Sequence, residues 1–283
     1  MSQRHILTYR GPDQPGIVAR TMTCLFEQGA NVEEAAQYHD TATAKFFART
    51  VFAVEDADQA RRFATAFGPL ARELELDWTL TPSAHRMRVV ILVSRLDHCL
   101  NDLLHRWRSG TLAMDIPAVI SNHPDLEELV AWHGIPFHHL PVDAGNRAAQ
   151  HEQLMAVLES LDAELVVLAR YMQILPPALC EVLAGRCINI HHSFLPSFKG
   201  ARPYHAAFER GVKLIGATAH YVTSELDEGP IIDQDVRRVT HAHTAAQLVE
   251  IGRDIECAVL ARALRWHLEQ RIQIDGAKTV VFE

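Results

Sequence analysis

The stretch Thr81-Pro82-Ser83-Ala84-His85-Arg86-Met87-Arg88-Val89-Val90-Ile91-Leu92-Val93 changes character in its middle. Residues 81–85 break the periodicity on either side, and an unbroken apolar run over 89–93 follows. Five consecutive apolar residues suit a strand covered on both faces, the environment of a parallel sheet. A domain boundary near residue 84 follows, with an open, mostly parallel α/β domain over 85–283. Downstream, strands are expected at 118–120, 135–140, 165–169, 187–190 and 214–222, with helices between them and a long amphipathic helix over 244–270.

Upstream of the linker the pattern is different. Ile17, Val18, Met22, Leu25 and Phe26 follow helical spacing after the turn cluster at 11–16, and a second helix is expected over 56–67. Extended segments are expected at 5–10, 31–38, 44–54 and 73–80, the last with Leu74, Leu76, Trp78 and Leu80 on one face. The order βαββαβ over 1–84 is a ferredoxin-like α+β arrangement.

Composition narrows the possible functions. A chain of 283 residues has room for two domains, and 48% hydrophobic with 22% charged residues are globular proportions. Lys plus Arg number 27 against 35 Asp plus Glu, a net charge of -8, which argues against a nucleic-acid partner. The five cysteines form no C-x-x-C pair, so neither a disulfide framework nor a thiolate metal knuckle is expected and a reducing cytoplasm fits. Residues 1–16 lack the apolar core of a signal peptide, and the apolar runs fall well short of the ~20 residues of a membrane helix. Histidine pairs occur at 138–139 and 191–192, but no H-E-x-x-H spacing accompanies them, and no metal is expected.

The chemistry concentrates in two stretches. In Asn189-Ile190-His191-His192-Ser193-Phe194-Leu195-Pro196, residues two apart on a strand share a face, so Asn189 and His191 project together where the strand runs out. Open α/β sheets bind ligands just outside such carboxyl ends. An Asn amide there can donate to a developing oxyanion, and an imidazole can move a proton near neutral pH. On the same alternation His192 is expected on the opposite face, in a structural role. In the second stretch, Thr218-Ala219-His220-Tyr221-Val222 leads into Thr223-Ser224-Glu225-Leu226-Asp227-Glu228-Gly229-Pro230. It brings a second histidine and a carboxylate to the same edge, enough to activate water against a carbonyl-type carbon.

The motifs N-I-H-H-S-F-L-P, G-A-R-P-Y-H and G-A-T-A-H-Y-V-x-x-x-L-D-E-G-P, in this order and spacing, resemble the folate-dependent formyltransferase family, on its deformylase branch. The resemblance covers nearly the whole chain and implies an N-terminal ACT-like regulatory domain over 1–84, carried by P-D-x-P-G-I-V-A, before the formyltransferase-like domain. It implies Asn189, His191 and Asp227 as the catalytic set and His220 as a further active-site histidine. It also implies a folate pocket lined by the backbone of 168–175, including Met172, Ile174 and Leu175, and closed by Ser224 and Glu225; at Gln173 only a backbone role is expected. Arg202 is a candidate for the glutamate carboxylate of the folate. The implied reaction is hydrolysis of 10-formyltetrahydrofolate to formate and tetrahydrofolate, feeding one-carbon and purine metabolism, with no cofactor beyond that substrate. A transferase that passes the formyl group to a small amine, or a non-catalytic amino-acid or folate sensor, are the alternatives.

Water is the expected acceptor because Val93 is followed by Ser94-Arg95-Leu96-Asp97-His98-Cys99, with no glycine before Gly110 to build the phosphate-holding loop of glycinamide ribonucleotide transformylases. The 56 residues beyond Asp227 are expected mostly in one helix, leaving no room for an RNA-binding module. In the N-terminal domain Asp13, Gly16 and Asn31 are the positions expected to meet an amino-acid effector. Pairing of its sheet edges between chains would give a homo-oligomer.

Overall fold

A computed structural model describes residues 2–143, 145–196 and 203–283. Its elements form two compact units. The first comprises Met1–His85 with Glu269–Gln273 and Val280–Glu283, and the second Arg86–Leu268 with Ile274–Thr279.

In the first unit, β1 (Gln3–Pro12), α1 (Ile17–Glu27), β2 (Asn31–Asp40), β3 (Lys45–Val54), α2 (Ala57–Glu73) and β4 (Asp77–Pro82) follow one another. The strands pair antiparallel in the order β2-β3-β1-β4, the ferredoxin-like arrangement expected from the βαββαβ order. Leu7 and Tyr9 of β1, Phe52 of β3, Ile17 and Leu25 of α1, and Phe63 and Phe67 of α2 form its core. Asp56 caps α2 by accepting the Gln59 N–H at 2.8 Å.

Two local expectations change. The helix expected to stop at Phe67 continues to Glu73 through Gly68-Pro69, because Leu70 and Ala71 pack on the sheet and that burial outweighs the breaker signal. The strand expected from residue 73 therefore starts at Asp77, and Leu74 and Leu76 reach the core from the connecting turn, where Glu75 has φ 54°. The chain's tail, expected in the second domain, also contributes to this unit. Buried Arg49 donates to the Glu269 carbonyl and pairs with Glu34 at 2.7 Å, and Gln273 donates to the Ala48 carbonyl at 2.8 Å.

The aromatic core supplies a stability test. Phe63, fully buried, stacks on Phe67 at 5.3 Å and meets Phe52 edge-on at 5.1 Å. Phe63→Ala is expected to cost about 3–5 kcal/mol, read as a lowered urea midpoint; a cost near zero would show that this core does not hold the unit together.

The second unit is built on one large sheet. In chain order it has β5 (Met87–Val93), α3 (His98–Arg108), β6 (Met114–Asp115), β7 (Val119–Ser121), α4 (Glu127–Trp132), β8 (Phe137–His139), α5 (Arg147–Ser160) and β9 (Leu165–Leu168). Then come α6 (Pro177–Val182), β10 (Cys187–His191), α7 (Pro203–Arg210), β11 (Leu214–Tyr221), β12 (Ile231–Arg238) and α8 (Ala245–Leu268). The closing hairpin of β13 (Ile272–Asp275) and β14 (Lys278–Val281) has residues in each unit. The sheet order is β12-β11-β10-β9-β5-β7-β8, parallel from β10 to β8 and antiparallel at β11 and β12.

The run over 89–93 is fully buried in the middle of this sheet, as its unbroken apolarity requires. Beyond Asp227 the described chain holds one helix, α8, and three strands, β12, β13 and β14. The edge strand β12, I-I-D-Q-D-V-R-R, carries half-exposed charges because only one side pairs, and the hairpin turns at Gly276 with φ 59°. Among the described residues no helix is long and apolar enough to cross a membrane.

Candidate active site

β10 lies where the sheet changes sense, parallel to β9 on one side and antiparallel to β11 on the other. Its carboxyl end opens on a cavity of about 580 Å³, a size ordinary for a small-molecule site. Asn189 and His191 both line it, as the two-residue spacing predicts.

The β10–β11 register places Asn189 opposite His220. His220 Nδ1 lies 2.9 Å from the Tyr221 carbonyl oxygen, which can only accept, so Nδ1 carries the proton. Nε2 is then the acceptor for the Asn189 amide N–H at 3.2 Å, which fixes which end of the Asn189 amide faces His220. Burial lowers the pKa of His220 and favours the neutral ring, whose Nε2 can accept.

Asp227 enters from the loop between β11 and β12. Its backbone is left-handed at φ 59°, a region that Asn and Asp tolerate better than other side chains with a Cβ. Two residues on, the loop passes so close to β11 that a Cβ on Gly229 would stand 1.8 Å from the Tyr221 carbonyl oxygen. Only glycine allows that approach. The loop delivers Asp227 Oδ1 to 3.3 Å from His191 Nδ1 and 3.8 Å from His220 Nε2. The hydrogen bond from His191 holds the Asp227 carboxyl below its ordinary value, against the upward push of partial burial.

His192 departs from the expected face. β10 ends at His191, so the alternation stops there, and the His192 ring stacks on His191 at 4.9 Å and 20° and lines the same cavity. Burial first, and then the cationic Arg170, push its pKa down to about 4.

The segment after β9 supplies another part of the cavity wall. Met172, Ile174 and Leu175 line the cavity, with Met172 51% and Ile174 65% exposed, so apolar side chains stand open to whatever enters. Ser94, at the end of β5, anchors this segment by accepting the Met172 N–H at 2.9 Å and donating to Asn122 at 2.6 Å. The Ser94 contact is invisible as a spacing, because 78 residues separate its partners. Ser224 and Glu225 line the cavity from the β11–β12 loop. Thr218, buried on β11, accepts the Leu195 N–H at 3.0 Å and donates to the Ser193 carbonyl at 2.9 Å, tying down the loop beyond His191. Arg202 lies outside the described residues.

In the first unit Asp13 pairs with His39 at 2.7 Å, Gly16 begins α1 at φ 92°, and Asn31 is the exposed first residue of β2. A shallow cavity there is lined by Gln28, Arg61, Arg62 and neighbours, and by none of those three.

Among the described residues one group of potential metal ligands, His98, Cys99 and Glu256, assembles from α3 and α8. No sequence spacing announces it, since 158 residues separate His98 from Glu256. Its carboxylate already accepts the His98 Nε2–H at 2.8 Å and has Arg170 Nε at 3.4 Å, so a fixed cation stands where an ion's charge would go.

An open α/β sheet with an Asn, two His and an Asp gathered at its switch point defines the class, and residues 87–264 match the formyl transferase family model. The chain is 47% identical over 279 residues to formyltetrahydrofolate deformylase of Corynebacterium sp. (strain P-1), covering 98% of both chains. The crystal structure of formyltetrahydrofolate deformylase from Burkholderia mallei superposes with a TM-score of 0.94 at 48% identity, covering 99% of this chain and 100% of that one. Glycinamide ribonucleotide transformylase 1 from Symbiobacterium toebii reaches a TM-score of 0.67 at 30% identity over 70% of this chain. The chain belongs to the formyltetrahydrofolate deformylase family.

Proposed function

We propose that this protein hydrolyses 10-formyltetrahydrofolate to formate and tetrahydrofolate, with water as the acceptor. The observation that carries the reading is the convergence of the Asn189–His220 and His191–Asp227 pairs on one cavity at the end of β10. The deformylase relatives, matched over nearly the full chain, supply the substrate.

In this reading the flat heteroaromatic end of the folate lies along the apolar wall of Met172, Ile174 and Leu175, with Ser224 and Glu225 across from it. Asp227, held ionised, orients a water molecule and takes its proton as the oxygen adds to the formyl carbon. The oxyanion that forms is met by the Asn189 amide and the His191 ring. His220 holds the amide in place. Collapse breaks the C–N bond, and N10 leaves with a proton passed through His191. The carbon departs as formate.

The first unit is proposed as a regulatory, ACT-like domain whose Asp13, Gly16 and Asn31 meet a small amino acid, so that a ligand there competes with the Asp13–His39 pair. Its edge strands β2 and β4 are proposed to pair between copies in a homo-oligomer.

The test is incubation of the purified protein with 10-formyltetrahydrofolate alone, measuring formate and tetrahydrofolate. Equimolar release is expected. If formyl transfer starts only when an amine is added, the protein is a transferase and the assignment of water is wrong.

A further inference from the structure

Beyond the His191–His192 stack lies a charged group that the reaction above leaves unused. Arg170 follows β9, and its side chain, 10% exposed, lines the same cavity as Asn189 and His191. Its backbone is left-handed at φ 65°, a conformation disfavoured for a residue with a long side chain. A strained position that nevertheless carries arginine points to use of its guanidinium.

The guanidinium has a built support. Glu256, 1% exposed on α8, accepts the His98 Nε2–H at 2.8 Å through one oxygen and the Tyr204 O–H at 2.7 Å through the other. One turn earlier on α8, Gly252 leaves the room this needs, since a Cβ there would lie 2.1 Å from Tyr204 Cζ. Burial pushes the Glu256 carboxyl up, but His98, Arg170 and Tyr204 together hold it below its ordinary value, so it remains a fixed anion. Arg170 Nε stands 3.4 Å from it without hydrogen-bond geometry, and among the described residues this buried N–H has no acceptor. Glu256 thus neutralises Arg170 without accepting a hydrogen bond from its Nε–H. His191 and His192 line the same cavity, and burial together with the positive charge of Arg170 keeps His192 neutral there.

A guanidinium fork with unused N–H donors matches a carboxylate in shape and charge. We propose that Arg170 forms a carboxylate subsite in this cavity that binds formate. The inference rests on the hydrolytic reading, because formate is the one small carboxylate that reaction makes. The formyl group enters neutral, and its carbon becomes a carboxylate only after water has added and the C–N bond has broken. Arg170 therefore interacts more strongly with the product than with the substrate and draws formate away from N10.

The test titrates carbon-13-labelled sodium formate into the free protein, without folate, at ionic strength matched with sodium chloride, and follows the formate resonance. Arg170→Met is expected to weaken binding at least tenfold. Arg170→Lys, which keeps the charge and loses the fork, is expected to fall between, and Glu256→Gln, which frees the guanidinium from its anion, to bind formate more tightly than the wild type. Should Arg170→Met fail to fold, the opposite shifts of Arg170→Lys and Glu256→Gln decide. Equal formate affinity in wild type and Arg170 variants, or weaker binding in Glu256→Gln, overturns the subsite. Formate release from 10-formyltetrahydrofolate is assayed separately, so an active enzyme whose formate affinity ignores Arg170 removes this proposal and leaves the hydrolysis standing. An inactive one removes the hydrolysis, and the titration still decides the subsite.

Discussion

Asp227→Asn is expected to lower formate release roughly 10³- to 10⁴-fold, the upper range for a positioned acid–base group, while the protein stays folded. The substitution isolates the charge. Asparagine has nearly the shape of aspartate and is among the side chains that tolerate the left-handed backbone at φ 59°, so the loop keeps its course past Gly229. What is lost is the acceptor 3.3 Å from His191 Nδ1 and the anion 3.8 Å from His220 Nε2. An amide there cannot take a proton from water, and its NH₂ end can present a donor where His191 needs an acceptor.

The pH dependence carries the same assignment. The folded-state pKa of Asp227 is lowered, first by the His191 hydrogen bond, so the active carboxylate persists through neutral and mildly acidic pH. It is lost only as pH falls through that lowered value. The acid limb of kcat/KM should therefore lie below the ordinary carboxylate range in the wild type. In Asp227→Asn the residual rate should lose that limb. A variant with rates within tenfold of wild type at every pH would remove Asp227 from the reaction.

The candidate site was more legible in the sequence than its surroundings, for physical reasons. Asn189 and His191 could be paired because strand alternation is local, and the central strand over 89–93 was legible because burial on both faces leaves an unbroken apolar run. The edge strand β12 was not, because a strand paired on one side and half exposed carries the composition of a loop. His192 was misplaced by extending the alternation one residue past the end of β10. The Glu256 group was invisible, since its members come from α3, the segment after β9, α7 and α8, and no period links such positions. The helix over 57–73 ran through Gly68-Pro69 because packing against a core can override a local breaker.

Asn189→Ala is expected to lower turnover by about 10²- to 10³-fold, the usual cost of one oxyanion donor, with a much smaller change in KM. The split follows from what the amide does. In the ground state the formyl oxygen is neutral and the Asn189 N–H adds little to binding; as water adds, that oxygen becomes an anion and the same bond strengthens. The variant also leaves Nε2 of buried His220 without its 3.2 Å donor, and an orphaned buried acceptor costs about 1–3 kcal/mol. A few degrees of lowered Tm should therefore accompany the loss of rate, and the two effects separate by experiment. If Asn189 acted only by supporting His220, His220→Ala would reproduce the whole loss of rate, and adding Asn189→Ala to it would change nothing further. If the amide meets the oxyanion itself, His220→Ala loses only the part that comes from a wandering amide, and the double variant falls to the level of Asn189→Ala. The turnover of these three proteins, measured beside their melting temperatures, assigns the oxyanion donor.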